Sequence, residues 1–141
     1  MITIHSINVK RPKIRVREYN AWIKCVVSGY GKKLGEVAYI FCDDEKILEV
    51  NNQYLGHNYY TDVITFDYTE NETINGDIFI SLDTVGSNAE ELGIAFDDEL
   101  NRIMIHGILH LCGFKDKNPI DKAEMTRQED AALEKLRVNC Y

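Results

Sequence analysis

The sequence is short of several things at once. Only Pro12 and Pro119 interrupt its 141 residues as prolines, and no stretch rich in glycine, proline or serine marks a linker. No apolar run approaches the roughly 20 residues that span a bilayer, so no transmembrane segment is expected. The first twenty residues, MITIHSINVKRPKIRVREYN, hold no apolar stretch followed by a small-residue cleavage site, and the predicted compartment is the cytoplasm. Four cysteines, Cys25, Cys42, Cys112 and Cys140, are scattered without a CxxC pair. Free thiols in a reducing compartment suit that spacing better than a disulfide framework. Repeats and low-complexity tracts are missing too. What remains is 45% apolar and 28% charged, the balance of a globular chain rather than a disordered one. Its length predicts one domain over residues 1–141.

Charge is unevenly spread. Residues 1–33 hold eight Lys or Arg (Lys10, Arg11, Lys13, Arg15, Arg17, Lys24, Lys32, Lys33) and one acid, Glu18. The remaining 108 residues hold eight basic and 22 acidic side chains, which makes the whole −7. A basic block on an acidic body is one way to build a phosphate-binding face. Charge alone favours the plainer reading, a solvated helix face.

The hydrophobic pattern mixes two periods. Residues 2–9 alternate, with one slip, as a strand. Pro12 suits the first position of a helix whose stripe is Ile14, Tyr19, Trp22, Ile23, Val26 and Val27, stopped by Gly29 and Gly31. A strand is expected over 35–42. A short helix capped by Asp43 or Asp44 follows to about Tyr54, with Ile47, Leu48 and Val50 inward. Strands at 61–68 and 75–81, joined by TENETI, read as an antiparallel hairpin. Helices are expected over 82–92 before Gly93, from Asp97–Glu99 to about Cys112 before Gly113, and over 119–137. The last carries Ala123, Met125, Ala132, Leu133 and Leu136. The predicted fold class is α+β, a mixed four-stranded sheet with helices.

Chemistry concentrates in His106-Gly-Ile-Leu-His110-Leu-Cys-Gly113-Phe-Lys-Asp116. Histidines at i and i+4 stack on one helix face, where both imidazoles reach a single ion. Gly113 permits the positive φ that turns the chain back, and Asp116 can then supply a third ligand. Two imidazoles and a carboxylate leave a fourth tetrahedral position for water, the pattern of a catalytic zinc. The flanking residues Ile103, Met104, Ile105, Ile108, Leu109 and Leu111 are apolar, and polar groups on such a helix need a partner. Peptide-cleaving zincins place a glutamate after the first histidine as general base; here Gly107 stands there, which disfavours a protease.

The segment HGILHLCGF resembles the signature of the YbeY family of rRNA maturation endoribonucleases. TDVITF at 61–66 and GDIFIS at 76–81 are similar to two strands of that family. Asn51 or Asn52 with Tyr54 resembles the start of the segment before them, and Met125 falls where the family has a methionine. The resemblance runs over roughly residues 35–135. It implies a zincin-like metal helix and one zinc per chain. It also implies a single-strand-specific, metal-dependent endoribonuclease acting in small-subunit rRNA maturation and ribosome quality control. Two positions depart from the pattern: Asp116 replaces the third histidine, and Leu55 replaces an arginine suited to phosphate or transition-state charge. Nearby His57 is a possible substitute.

The expected metal ligands are therefore His106, His110 and Asp116. Expected contacts to RNA are Arg15, Arg17 and Lys24 along the backbone, Tyr59 and Tyr60 by stacking on unpaired bases, and Asp62 by orienting water or substrate. Tyr59 and Tyr60 are also consistent with loop aromatics packed on the body, and Asp62 with a structural hydrogen bond. The alternative to catalysis is a metal-stabilised ribosome-assembly factor that binds rRNA or a ribosomal protein.

Overall fold

The computed structural model describes residues 1–55 and 63–141. It runs β1 (Ile2–Ser6), α1 (Val16–Ser28), β2 (Lys33–Cys42), α2 (Asp44–Leu55), β3 (Val63–Asp67), β4 (Thr73–Ser81), α3 (Leu82–Leu92), α4 (Phe96–Leu111) and α5 (Pro119–Arg137). The fold is α+β with a mixed four-stranded sheet in the order β1-β2-β4-β3. β1 and β4 lie parallel to β2, and β3 pairs antiparallel with β4 as the expected hairpin. Among the described residues no helix is long and apolar enough to cross a membrane.

Period-two alternation divides the apolar side chains between two faces. On one face Ile2, Val37, Tyr39, Ile74, Ile78 and Ile80 meet Trp22, Ile23 and Val26 of α1, Met104 and Ile108 of α4, and Met125 and Ala132 of α5. On the other, Cys42 and Ile64 with Phe66 and Phe79 are covered by Ile47 and Val50 of α2. The slip in β1 follows from this division, because Ile4 packs into the first cluster and Ile7 into the second. Asn8 then turns the chain with φ 62°, which ends the strand before residue 9. Polar groups inside the larger core are paired: Trp22 Nε1 donates to the Ala132 carbonyl at 2.8 Å, and the Tyr39 hydroxyl to the Met104 carbonyl at 2.8 Å. Burial pushes the Tyr39 phenol far above its ordinary pKa.

Several boundaries differ from the sequence pattern. α1 starts at Val16 rather than Pro12. Pro12, Ile14 and Val16 are half-buried while Lys13, Arg15 and Arg17 are exposed, so this stretch approaches the core with the period of an extended chain. β2 starts two residues early, at Lys33, with a register shift between Leu34 and Val37. In α2, Asp43 caps as expected, accepting from Lys46 N at 2.8 Å, but Leu48 is only half-buried. Ala123 of α5 is exposed, and the buried stripe there is Met125, Glu129 and Ala132.

Candidate metal centre

α4 carries two of the three expected ligands and is pressed hard against the sheet. Asp97, Asp98 and Glu99 occupy its first turn, where the helix dipole favours negative charge. At Gly107 a Cβ would lie 2.9 Å from both Cδ1 and Cγ2 of Ile78 on β4. The helix thus packs closer than a side chain at 107 permits, which gives Gly107 a packing role as well as removing a general base. His106 and His110 lie together to one side of this contact, one turn apart on the same helix. Beyond Leu111 the chain reverses at Gly113, whose φ of 102° suits glycine. The Gly113 and Phe114 amides close the helix end on the His110 and Leu109 carbonyls, both at 3.0 Å. That reversal carries Asp116 back over the histidine pair.

Three atoms converge there. His106 Nε2 and His110 Nε2 lie 3.0 Å apart, and Asp116 Oδ2 is 3.2 Å from the first and 3.5 Å from the second. A tetrahedral ion with bonds of about 2.1 Å requires ligand atoms about 3.4 Å apart, so the spacing fits one metal. Hydrogen bonding on the far side of each ring supports the same conclusion. His106 Nδ1 sits 2.6 Å from Glu129 Oε2, and His110 Nδ1 sits 2.9 Å from the Phe114 carbonyl. Both partners are acceptors, so each neutral ring carries its proton on Nδ1 and presents a lone pair at Nε2. Two lone pairs and a carboxylate aimed at one another repel unless a cation lies among them. The donor set suits zinc, which binds imidazole nitrogen and carboxylate oxygen. Exposure rises from 16% at His106 through 28% at His110 to 39% at Asp116, so the centre opens to solvent on the Asp116 side.

Glu129 and the Phe114 carbonyl are the outer partners that orient metal-binding histidines in such sites. Sequence reasoning missed them. The signal for Glu129 was present: it interrupts the stripe Met125–Ala132 on α5, and a charge on a buried face needs a partner. Glu129 is 6% exposed and also accepts from Arg102 Nη1 at 2.7 Å. The neighbouring acids are engaged elsewhere: Asp121 accepts from Asn118 Nδ2, and Glu124 pairs with Arg127 at 2.6 Å. Burial pushes the Cys112 thiol up to about 11, so it stays protonated at neutral pH.

Among the described residues, the other expected site residues Arg15, Arg17 and Lys24 are not gathered here. Arg15, Arg17 and Lys24 are exposed, with Arg15 3.3 Å from Glu18. Arg15 lines a surface groove of about 580 Å³ with Lys13, Asp97 and Asn101, at the opposite end of α4 from His110. Asp97 and His110 are 13 residues apart on that helix, or about 20 Å. Tyr59, Tyr60 and Asp62, with His57, lie outside the described residues.

Residues 5–137 match the family model described as Endoribonuclease YbeY. The chain belongs to that family. It is 58% identical to Endoribonuclease YbeY of Bacteroides thetaiotaomicron over 132 residues, which cover 94% of this chain and 96% of the relative. Endoribonuclease YbeY of Flavobacterium psychrophilum is 47% identical over 120 residues, 85% of this chain and 86% of the relative. The solution structure of TM1509 from Thermotoga maritima superposes with a TM-score of 0.69 at 29% identity, covering 96% of this chain and 89% of that one. In this member of the YbeY family the carboxylate of Asp116 faces both Nε2 atoms.

Proposed function

We propose that the chain is a one-domain, zinc-dependent endoribonuclease. It cuts single-stranded RNA in the cytoplasm and serves small-subunit rRNA maturation and ribosome quality control. One zinc per chain would be held by His106, His110 and Asp116. The observation that carries this reading is the convergence of two lone-pair nitrogens and a carboxylate oxygen within 3.5 Å of one another. The substrate class comes from the name shared by the relatives. When bound, the ion would polarise a phosphoryl oxygen and lower the pKa of water at its open position. The chain's own part is geometric. Glu129 and the Phe114 carbonyl fix both rings with Nε2 inward, and Gly113 brings Asp116 onto them. Arg15, Arg17 and Lys24 would meet the RNA backbone, steering it onto an otherwise acidic body.

Leu55, in the place of the family's arginine, favours a second reading, a metal-stabilised assembly factor that binds RNA without cutting it. One experiment separates the two. The purified protein is incubated with single-stranded RNA with and without a chelator, while binding is followed across salt concentrations. An endoribonuclease cleaves only without chelator, and His110→Ala abolishes cleavage. Replacing Arg15, Arg17 and Lys24 by glutamine flattens the slope of log K against log salt by up to about 2. Binding that survives the chelator with no cleavage in any arm would establish the assembly factor instead.

A further inference from the structure

The metal-proximal face of α4 has a third layer behind Glu129. Arg102 sits four residues before His106, one turn down the same helix. Its guanidinium bridges two consecutive acids of α5, with Nη1 2.7 Å from Glu129 Oε1 and Nη2 2.6 Å from Asp130 Oδ1. Glu129 turns its other oxygen, Oε2, to His106 Nδ1 at 2.6 Å. The chain of contacts therefore runs from Arg102 through both oxygens of one carboxylate to the imidazole that faces Asp116. Asp130 is 60% exposed, whereas the Glu129 side chain is 8% exposed. A carboxylate that deep needs a countercharge, and among the described residues Arg102 is the cation seated on it.

We propose that Arg102 is a positioning residue for the metal centre, acting through Glu129 to hold the His106 ring in its Nδ1–H tautomer. One guanidinium nitrogen holds Glu129 Oε1 while the other is anchored on Asp130, a two-point geometry that a single ammonium does not reproduce. With Oε1 held there, Oε2 faces the ring edge and Nε2 keeps its lone pair toward His110 and Asp116. The pair also ties α5 to α4 beside the site, so the position of the carboxylate is set by two helices. This inference rests on the metal reading above. It adds that the site's affinity for its ion depends on a residue that touches neither ion nor ligand.

Zinc affinity, measured by competition with a chromophoric chelator on the full chain, tests it without any need for activity. Arg102→Gln should bind zinc about 10-fold more weakly, the lower end of what losing an outer partner costs. Glu129→Gln should lose at least as much. In the Glu129→Gln background, Arg102→Gln should cost nothing further, because its route to the ion is already cut. Arg102→Lys should recover part of the loss. Arg137→Gln removes the same charge from an exposed pair on α5 and should change affinity less than about 2-fold, which excludes long-range charge as the cause. Nitrogen NMR of the metal-free protein supplies the readout that mere helix packing would not move. His106 should show a protonated Nδ1 in the parent and a tautomer mixture in Arg102→Gln. Should Arg102→Gln fail to fold, Arg102→Lys carries the same comparison. Unchanged zinc affinity and tautomer in the Arg102 variants, or an equal loss with and without Glu129, would overturn the proposal. A parent that binds no zinc would instead refute the metal reading, and would do so before any variant is made.

Discussion

A carboxylate in the place of a third imidazole changes the charge of a metal centre by one, and Asp116 makes that change here. Its Oδ2 lies within 3.5 Å of both Nε2 atoms, so the side chain is already in ligand position. Asp116→Ala should therefore lose at least about 10-fold in zinc affinity. Asp116→His should retain the metal, since imidazole suits the same geometry. Isothermal titration of zinc into the three proteins measures both, and equal affinity in Asp116→Ala would exclude Asp116 as a ligand. At this scale the converging trio was legible because it is local: an i, i+4 histidine pair, a glycine reversal and an acid three residues on. Glu129 and Arg102 were not, because α5 brings Glu129 to His106 across 23 residues through tertiary packing. Only the charge in the stripe of Met125 and Ala132 hinted at it.

Helix α4 positions the site by lying unusually close to β4, and Gly107 is where that closeness is decided. Gly107→Val would drive a branched side chain into Ile78. Overpacking of this kind should lower stability by about 1–3 kcal/mol, measured as the urea midpoint, and so outweigh the few tenths of a kcal/mol, roughly, by which valine exceeds glycine in helix propensity. A variant as stable as the parent would show that the helix can back away without cost. Elements with strong punctuation were read correctly. Gly93 closes α3 and Pro119 opens α5 as expected; the structure adds Asn118 as the cap, its side chain accepting from Asp121 N at 2.8 Å. The start of α1 was misread because Ile14 fits a helical stripe as well as an extended one. Arg15 offers no side-chain cap to settle the boundary locally, and packing against the core decides it. β2 was read short because a register shift between Leu34 and Val37 interrupts its pairing with β4 where the strand begins.

The whole molecule stores protons that its unfolded chain would release. Burial pushes the Cys42 thiol from 9.0 up to about 12 and the Tyr39 phenol upward from 10.0. Both stay neutral in the fold while the unfolded chain ionises from about pH 9, so the native state binds more protons above that point. Stability from these groups is complete below pH 9 and is lost as pH rises toward about 12. The urea midpoint should fall over that window, and the fall should be shallower in Cys42→Ala. An identical pH dependence in that variant would remove Cys42 from the explanation. Function at this scale depends on whether the three converging atoms hold an ion. Elemental analysis of protein purified without added metal is the most direct measurement. A zinc centre predicts close to one zinc per chain in the parent and loss of that zinc in His106→Ala and His110→Ala. Metal-free parent protein, with both histidine variants indistinguishable from it in metal content and stability, would contradict it.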